Sequence, residues 1–140
     1  ILGKGARQKG MIKNVNTGEI QEFQYNPPEY EQGKEVKFNQ IESPGSSTPK
    51  FEYVGGGAET IRFKVFLFDR NAEKTEEFLD FIDEFTPQKH SQFDPPPQVL
   101  LSYGNITGKF IITGINKHVR RLNENLRPVE ATVDLQFKEV

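Results

Sequence analysis

The clearest alternation in the chain runs from Thr60 to Asp69. Ile61, Phe63, Val65 and Leu67 fall on one face, with Arg62 and Lys64 on the other. Phe66 and Phe68 then replace the polar residues on the second face, which predicts a central strand covered on both sides over its far half. A second alternation closes the chain, with Ala131, Val133, Leu135 and Phe137 inward and Thr132, Asp134, Gln136 and Lys138 outward. Between these strands, Asn71 to Phe85 has helical spacing. Phe78, Phe81, Ile82 and Phe85 fall at i, i+3, i+4 and i+7, and Leu79 widens the stripe. Asn71 reads as the N-cap, Glu73 suits the first turn and Thr86-Pro87 ends the helix. Its apolar stripe is expected to dock on Phe66 and Phe68.

The remaining segments read as further strands and loops. Met11 to Val15 and Ile20 to Tyr25 form two strands about an Asn16-Thr17-Gly18 turn, with Phe23 and Tyr25 on a shared face. Asn26-Pro27-Pro28 ends the second, because proline cannot donate to a ladder. A short strand covers about Glu35 to Ile41, followed by a loop from Ser43 to Pro49. Gln88 to Pro97 is polar loop. Val99 to Tyr103 and Ile106 to Ile115 make a hairpin about Gly104-Asn105, with the second strand open to extension towards Val119, and Asn116 to Pro128 is basic and loop-like. This order predicts a mainly β fold (α+β): a sandwich of two packed antiparallel sheets or a partly closed barrel, with one flanking helix. Residues 1–10, rich in glycine and basic side chains, read as a mobile or partner-ordered arm, and 11–140 as a single domain.

Composition narrows the function classes. A chain of 140 residues is long enough to bury about two-thirds of its unfolded surface. A net charge of −2 with 27% charged residues gives no whole-chain argument for nucleic acid or an anionic membrane. With no cysteine there is neither a disulfide framework nor a thiolate metal site. No apolar run approaches the roughly 20 residues of a membrane span.

Candidate chemistry is thin. Gly55-Gly56-Gly57 has the composition of a phosphate cradle, but it leads into a strand, and a turn or bulge explains it better. Glu73, Glu76, Glu77, Asp80, Asp83 and Glu84 lie off the apolar stripe, as on a solvated helix face. His90 and His118 have no second ligand at metal spacing, and Ser43, Ser46 and Ser47 lack a nucleophile-elbow pattern. Lys117, His118, Arg120 and Arg121 form the one basic cluster, without interleaved aromatics in sequence. The residues therefore predict no enzyme, no cofactor and no metal.

Gln24-Tyr25-Asn26-Pro27-Pro28-Glu29-Tyr30 resembles the QFNPxEY signature of tube-like baseplate proteins of contractile phages, phage-like bacteriocins and extracellular injection systems. The likeness continues through Phe51-Glu52-Tyr53-Val54-Gly55-Gly56-Gly57-Ala58-Glu59-Thr60, Pro95-Pro96-Pro97, Leu100-Leu101-Ser102-Tyr103-Gly104 and Pro128-Val129-Glu130-Ala131. It covers nearly the whole chain from Met11. Where the family often has an Asp-Gly turn, this chain has Asn123-Glu124-Asn125-Leu126-Arg127. Longer members carry a LysM module. This sequence stops at Val140, so peptidoglycan binding does not carry over, and its start at Ile1 points to a missing or processed terminus.

The resemblance implies a tail-tube fold and a structural role: a ring, hexameric in the family's manner, joining the inner tube to the baseplate hub or spike. The expected partners are copies of the same chain, the tube protein and the hub or spike protein, with no membrane and no sequence-specific nucleic acid. The location implied is a virion or phage-like particle assembled in the bacterial cytoplasm. The alternatives are the tube protein itself and, from another class, a carbohydrate-binding β-sandwich using Tyr30, Tyr53 and Phe93. The expected interface residues are Gln24, Tyr25, Asn26, Tyr30, Phe38, Ile41, Arg120, Arg121, Val133 and Leu135. Lys34 to Lys50 corresponds to a long extension expected to order against a neighbouring subunit.

Overall fold

The computed structural model describes residues 9–41, 50–86 and 97–140. The strands are β1 (Met11–Asn14), β2 (Ile20–Glu22), β3 (Glu31–Ile41), β4 (Lys50–Phe68), β5 (Gln98–Tyr103), β6 (Ile106–Leu122) and β7 (Pro128–Glu139), with a helix α1 (Glu73–Asp83) between β4 and β5. All seven strands join one antiparallel sheet in the order β2-β1-β5-β6-β7-β4-β3. The mainly β architecture with a flanking helix is as the alternation predicts, built as one open, curled sheet. The curl is visible in the core: Phe63 of β4 packs 5.4 Å from Tyr103 of β5, although β6 and β7 separate these strands in the sheet.

The inward face of β4 (Ile61, Phe63, Val65, Leu67) and of β7 (Ala131, Val133, Leu135, Phe137) is buried, as their alternation requires. The β4–β7 ladder runs unbroken from Thr60↔Lys138 to Phe68↔Glu130. Helix α1 buries Phe78, Leu79, Phe81 and Ile82, the stripe read from sequence. Its docking face differs from the expected one. Phe66 and Phe68 are 45% and 39% exposed on the far side of the sheet, and the helix instead covers the inward face, where Phe78 packs 6.5 Å from Phe23. That face carries the continuous apolar surface of several strands, so burial there removes more area from water. Thr75 fixes the helix by donating to the Val129 carbonyl of β7 at 3.1 Å.

The cap also differs. Ala72, at φ 65, is the N-cap and makes no side-chain cap bond. Asp69 does that work from further back, accepting the Lys74 N–H at 2.7 Å and the Asn71 N–H at 3.1 Å. These backbone donors hold its carboxyl below the usual carboxylate range.

The β1–β2 connection is set by Asn14, whose Oδ1 accepts the Asn16 and Thr17 N–H groups at 2.9 and 3.3 Å, with Gly18 at φ 78. The ladder of β2 ends at Glu22. Phe23 turns fully inward while Tyr25 is 52% exposed, so the two do not share a face. β6 runs on to Leu122, past the extension towards Val119 that the sequence allows and into the basic segment read as loop-like, because β7 offers it a partner over that length. The β6–β7 turn is closed by Asn123, whose Oδ1 accepts the Asn125 and Arg127 N–H groups, and Leu126 takes φ 61, a conformation more easily held by glycine.

The triple glycine lies within β4, between two register shifts against β3, one at Lys34/Val36 and one at Lys37/Phe38. Bulges are what the sequence favours there. From Glu59 back to Lys50, β4 pairs with β3 alone among the described residues. The two strands thus make a ribbon reaching on the order of 30 Å past the last β7 pair. The expected loops at 43–49 and 88–96 lie outside the described residues.

Candidate functional site

The Gln24–Tyr30 segment occupies the border of the sheet that β3 leaves open. β3 pairs with β4 only as far as Glu31↔Arg62. Beyond that point Tyr25 makes an isolated antiparallel bridge to Phe66. Gln24 then treats Phe68 as a strand partner would: its Oε1 accepts the Phe68 N–H at 2.9 Å and its Nε2 donates to the Phe68 carbonyl. A side-chain amide thus satisfies backbone groups that would otherwise face solvent or another chain.

The two prolines that follow have no N–H to leave unpaired. The Pro27 carbonyl accepts from the Tyr103 hydroxyl, and Tyr30 meets the Tyr103 ring edge-on at 5.8 Å. Burial, then the neighbouring Tyr30, pushes the Tyr103 hydroxyl pKa up. The Gly10 N–H donates to Asn26 Oδ1 at 2.9 Å, and Lys9 Nζ donates to the Gln24 carbonyl at 2.6 Å. Gly10 has no room for a side chain, since a Cβ would lie 2.5 Å from the Phe23 ring. The segment is therefore a clasp fixed from both sides.

At the opposite border, the β5 ladder on β6 ends at Gln98↔Ile111, whereas β6 continues to Leu122. From Thr113 onward β6 pairs with β7 on one side and with no described strand on the other. Lys117 points to the helix and pairs with Asp83. Burial pulls its ammonium pKa down, partly opposed by Asp80.

The expected interface residues divide by position. Gln24, Tyr25, Asn26 and Tyr30 all belong to the clasp. Phe38 and Ile41 stand in the ribbon opposite Tyr53 and Lys50, and their side chains lie outside those described. Arg120 and Arg121 lie at the far end of β6. Val133 and Leu135 have no exposed surface and belong to the subunit's own core, in a strand paired on both edges, so neither can meet another subunit without unfolding. Sequence reasoning missed the open edge of β6, since nothing local marks where β5 stops covering it.

An open groove of about 410 Å³ lies between the clasp and β4, lined by Tyr30, Arg62, Lys64, Phe66 and Asp134 among others. Arg62 and Asp134 are joined by two hydrogen bonds, at 3.1 and 2.7 Å. Each bond favours the charged pair, raising the arginine pKa and lowering the aspartate pKa. No group of three or more potential metal ligands occurs among the described residues. For the carbohydrate-platform reading, Tyr30 stands edge-on against Tyr103, while Tyr53 and Phe93 lie outside the described side chains.

A curled antiparallel sheet, one flanking helix, a clasped border and an uncovered strand edge define a subunit whose prominent features are edges. The chain belongs to the contractile injection system tube protein family, whose model matches residues 6–140. No curated protein matches it. Among solved structures, it is similar to a chain in the virion of a native gene transfer agent particle. That match has 13% identity and a TM-score of 0.50, covering 96% of this chain and 95% of the other. It is also similar, at 11% identity and the same TM-score and coverage, to a chain in the tail of an empty gene transfer agent particle refined with C6 symmetry. At these identities the likeness is one of fold.

Proposed function

We propose that this chain builds closed rings of a contractile tube inside a virion or phage-like particle. The carrying observation is the open edge of β6 from Thr113 to Leu122 on one border of the sheet. At the same height, the other border is the clasp leading into β3. An uncovered edge on one copy and a shaped border on the next make a heterologous contact, and such contacts close into a ring when the rotation permits. We take the ring to be sixfold, the symmetry of the tail that contains the similar chain. The helix layer needs the larger circumference, so it lies outside and the bare sheet face lines the channel.

The family description favours the tube itself over an adaptor between tube and hub. Copy number decides between them: many rings per particle for a tube, a single ring for an adaptor. The chain has no cysteine, so an Asn116→Cys/Glu29→Cys double variant reports the contact cleanly. Oxidation should give a ladder of linked subunits in assembled particles that ends at the ring size. Assembled particles that yield only unlinked chains would overturn the proposed contact.

A further inference from the structure

The sheet face away from the helix carries a cluster that the ring reading does not require. β6 has an extra residue at Arg120: the register passes from Val119↔Ala131 to Arg121↔Glu130. In a regular strand, successive side chains point to opposite faces. Here the bulge turns both arginines to the bare face. Arg121 stands opposite Glu130, which is paired with the exposed Phe68. Arg120 lies with its guanidinium 5.7 Å from the centre of the Phe66 ring and donates from Nε to Thr132 Oγ1 at 3.1 Å.

The structure supplies the aromatics that the basic cluster lacks in sequence. Phe66, Phe68 and the bridged Tyr25 are 45%, 39% and 52% exposed and adjoin one another on this face. Leaving three rings in water beside adjacent like charges does nothing for the isolated subunit, and bulges commonly re-aim side chains at binding sites. Of the acids on this face, Asp134 has both oxygens held by Arg62, Glu31 stands across from the same Arg62, Glu130 stands across from Arg121, and Glu29 lines the groove beside Lys64, so among the described residues Arg120 is the cation with no acid opposite it. The helix side carries Glu73, Glu76, Glu77 and Asp80, with Arg127 paired to Glu76 and Lys117 to Asp83.

We propose that this face binds a single nucleic-acid strand without regard to sequence. Lys64, Arg120 and Arg121 take phosphates, while Phe66, Phe68 and Tyr25 stack bases. The pairing of cations with exposed rings selects this occupant over an acidic polypeptide, since a nucleic acid offers anionic groups and planar faces at each unit. The proposal concerns the subunit itself and stands whether or not a ring forms.

The test is fluorescence anisotropy of a thymidine oligonucleotide of roughly 16 nucleotides, the upper end of site sizes for compact single-strand binders. Binding should weaken steeply with salt, and Arg120→Gln should make the salt dependence shallower by roughly one phosphate contact. Phe66→Ala should weaken binding about tenfold. Both side chains are exposed, so circular dichroism should show the fold intact, and Lys74→Gln on the helix should bind as the parent does. Polyglutamate should compete poorly. Absence of binding at low salt would overturn the proposal. So would equal competition by polyglutamate, or a Phe66→Ala variant that binds normally, either of which would mark the face as merely cationic.

Discussion

Replacing Phe23 by alanine tests the packing that holds the curled sheet together. The ring has no exposed surface and touches three elements at once: Phe63 of β4 at 5.4 Å, Phe78 of α1 at 6.5 Å and Tyr103 of β5 at 6.1 Å. It also lies against Gly10, so the surrounding backbone cannot easily collapse into the space left behind. A buried Phe→Ala change with poor relaxation costs about 3–5 kcal/mol. A domain of this kind has only about 5–15 kcal/mol in total. With a urea m-value near 2 kcal/mol per molar, the midpoint should fall by about 2 M. The assay is urea unfolding followed by circular dichroism at two protein concentrations, which separates folding from association. Phe23→Leu should lose much less. A midpoint shift below about 0.5 M with an unchanged m-value would refute the placement of Phe23 at the centre of the core.

Three further outcomes follow from the local geometry. Gln24→Ala removes both bonds to Phe68 and should cost about 1–2 kcal/mol, with faster amide exchange at Phe68 as the specific readout. The folded-state pKa of Asp69 is depressed, so its contribution to stability is present above its unfolded pKa of about 3.9 and disappears as pH falls through the folded value. Asp69→Asn should therefore flatten the acid limb of the stability profile, and an unchanged limb would remove Asp69 as the helix cap. The β3–β4 ribbon, residues 34–41 and 50–59, should exchange its amides quickly in the isolated subunit and slowly in assembled particles; equal, strong protection in both would show that it needs no neighbour.

What was legible in the sequence is what depends on period. The inward residues of β4 and β7 and the buried stripe of α1 were all readable, because alternation and helical spacing are local signals. The docking face of the helix was not. Phe66 and Phe68 looked like a surface in need of cover, but the tight turn through Asp69 and Ala72 sends the helix to the face where several strands pool their apolar side chains. The end of β6 past Val119 was likewise hidden, since Arg120 and Arg121 are ordinary loop residues until β7 pairs with that segment. The role of Gln24 rests on a contact across 44 positions, which no local pattern records. The family resemblance drew attention to that segment; the structure supplies its physical reason, the sealing of a strand border.

The proposed functional state is a ring joined border to border, through the clasp and the open edge of β6. Imaging the protein within its native particle tests this most directly. Closed rings on the particle axis are expected, helices outward, with the Thr113–Leu122 edge of each copy against the Gln24–Tyr30 segment of the next. Finding the chain as a monomer, away from the axis, or with the β6 edge facing solvent would contradict it.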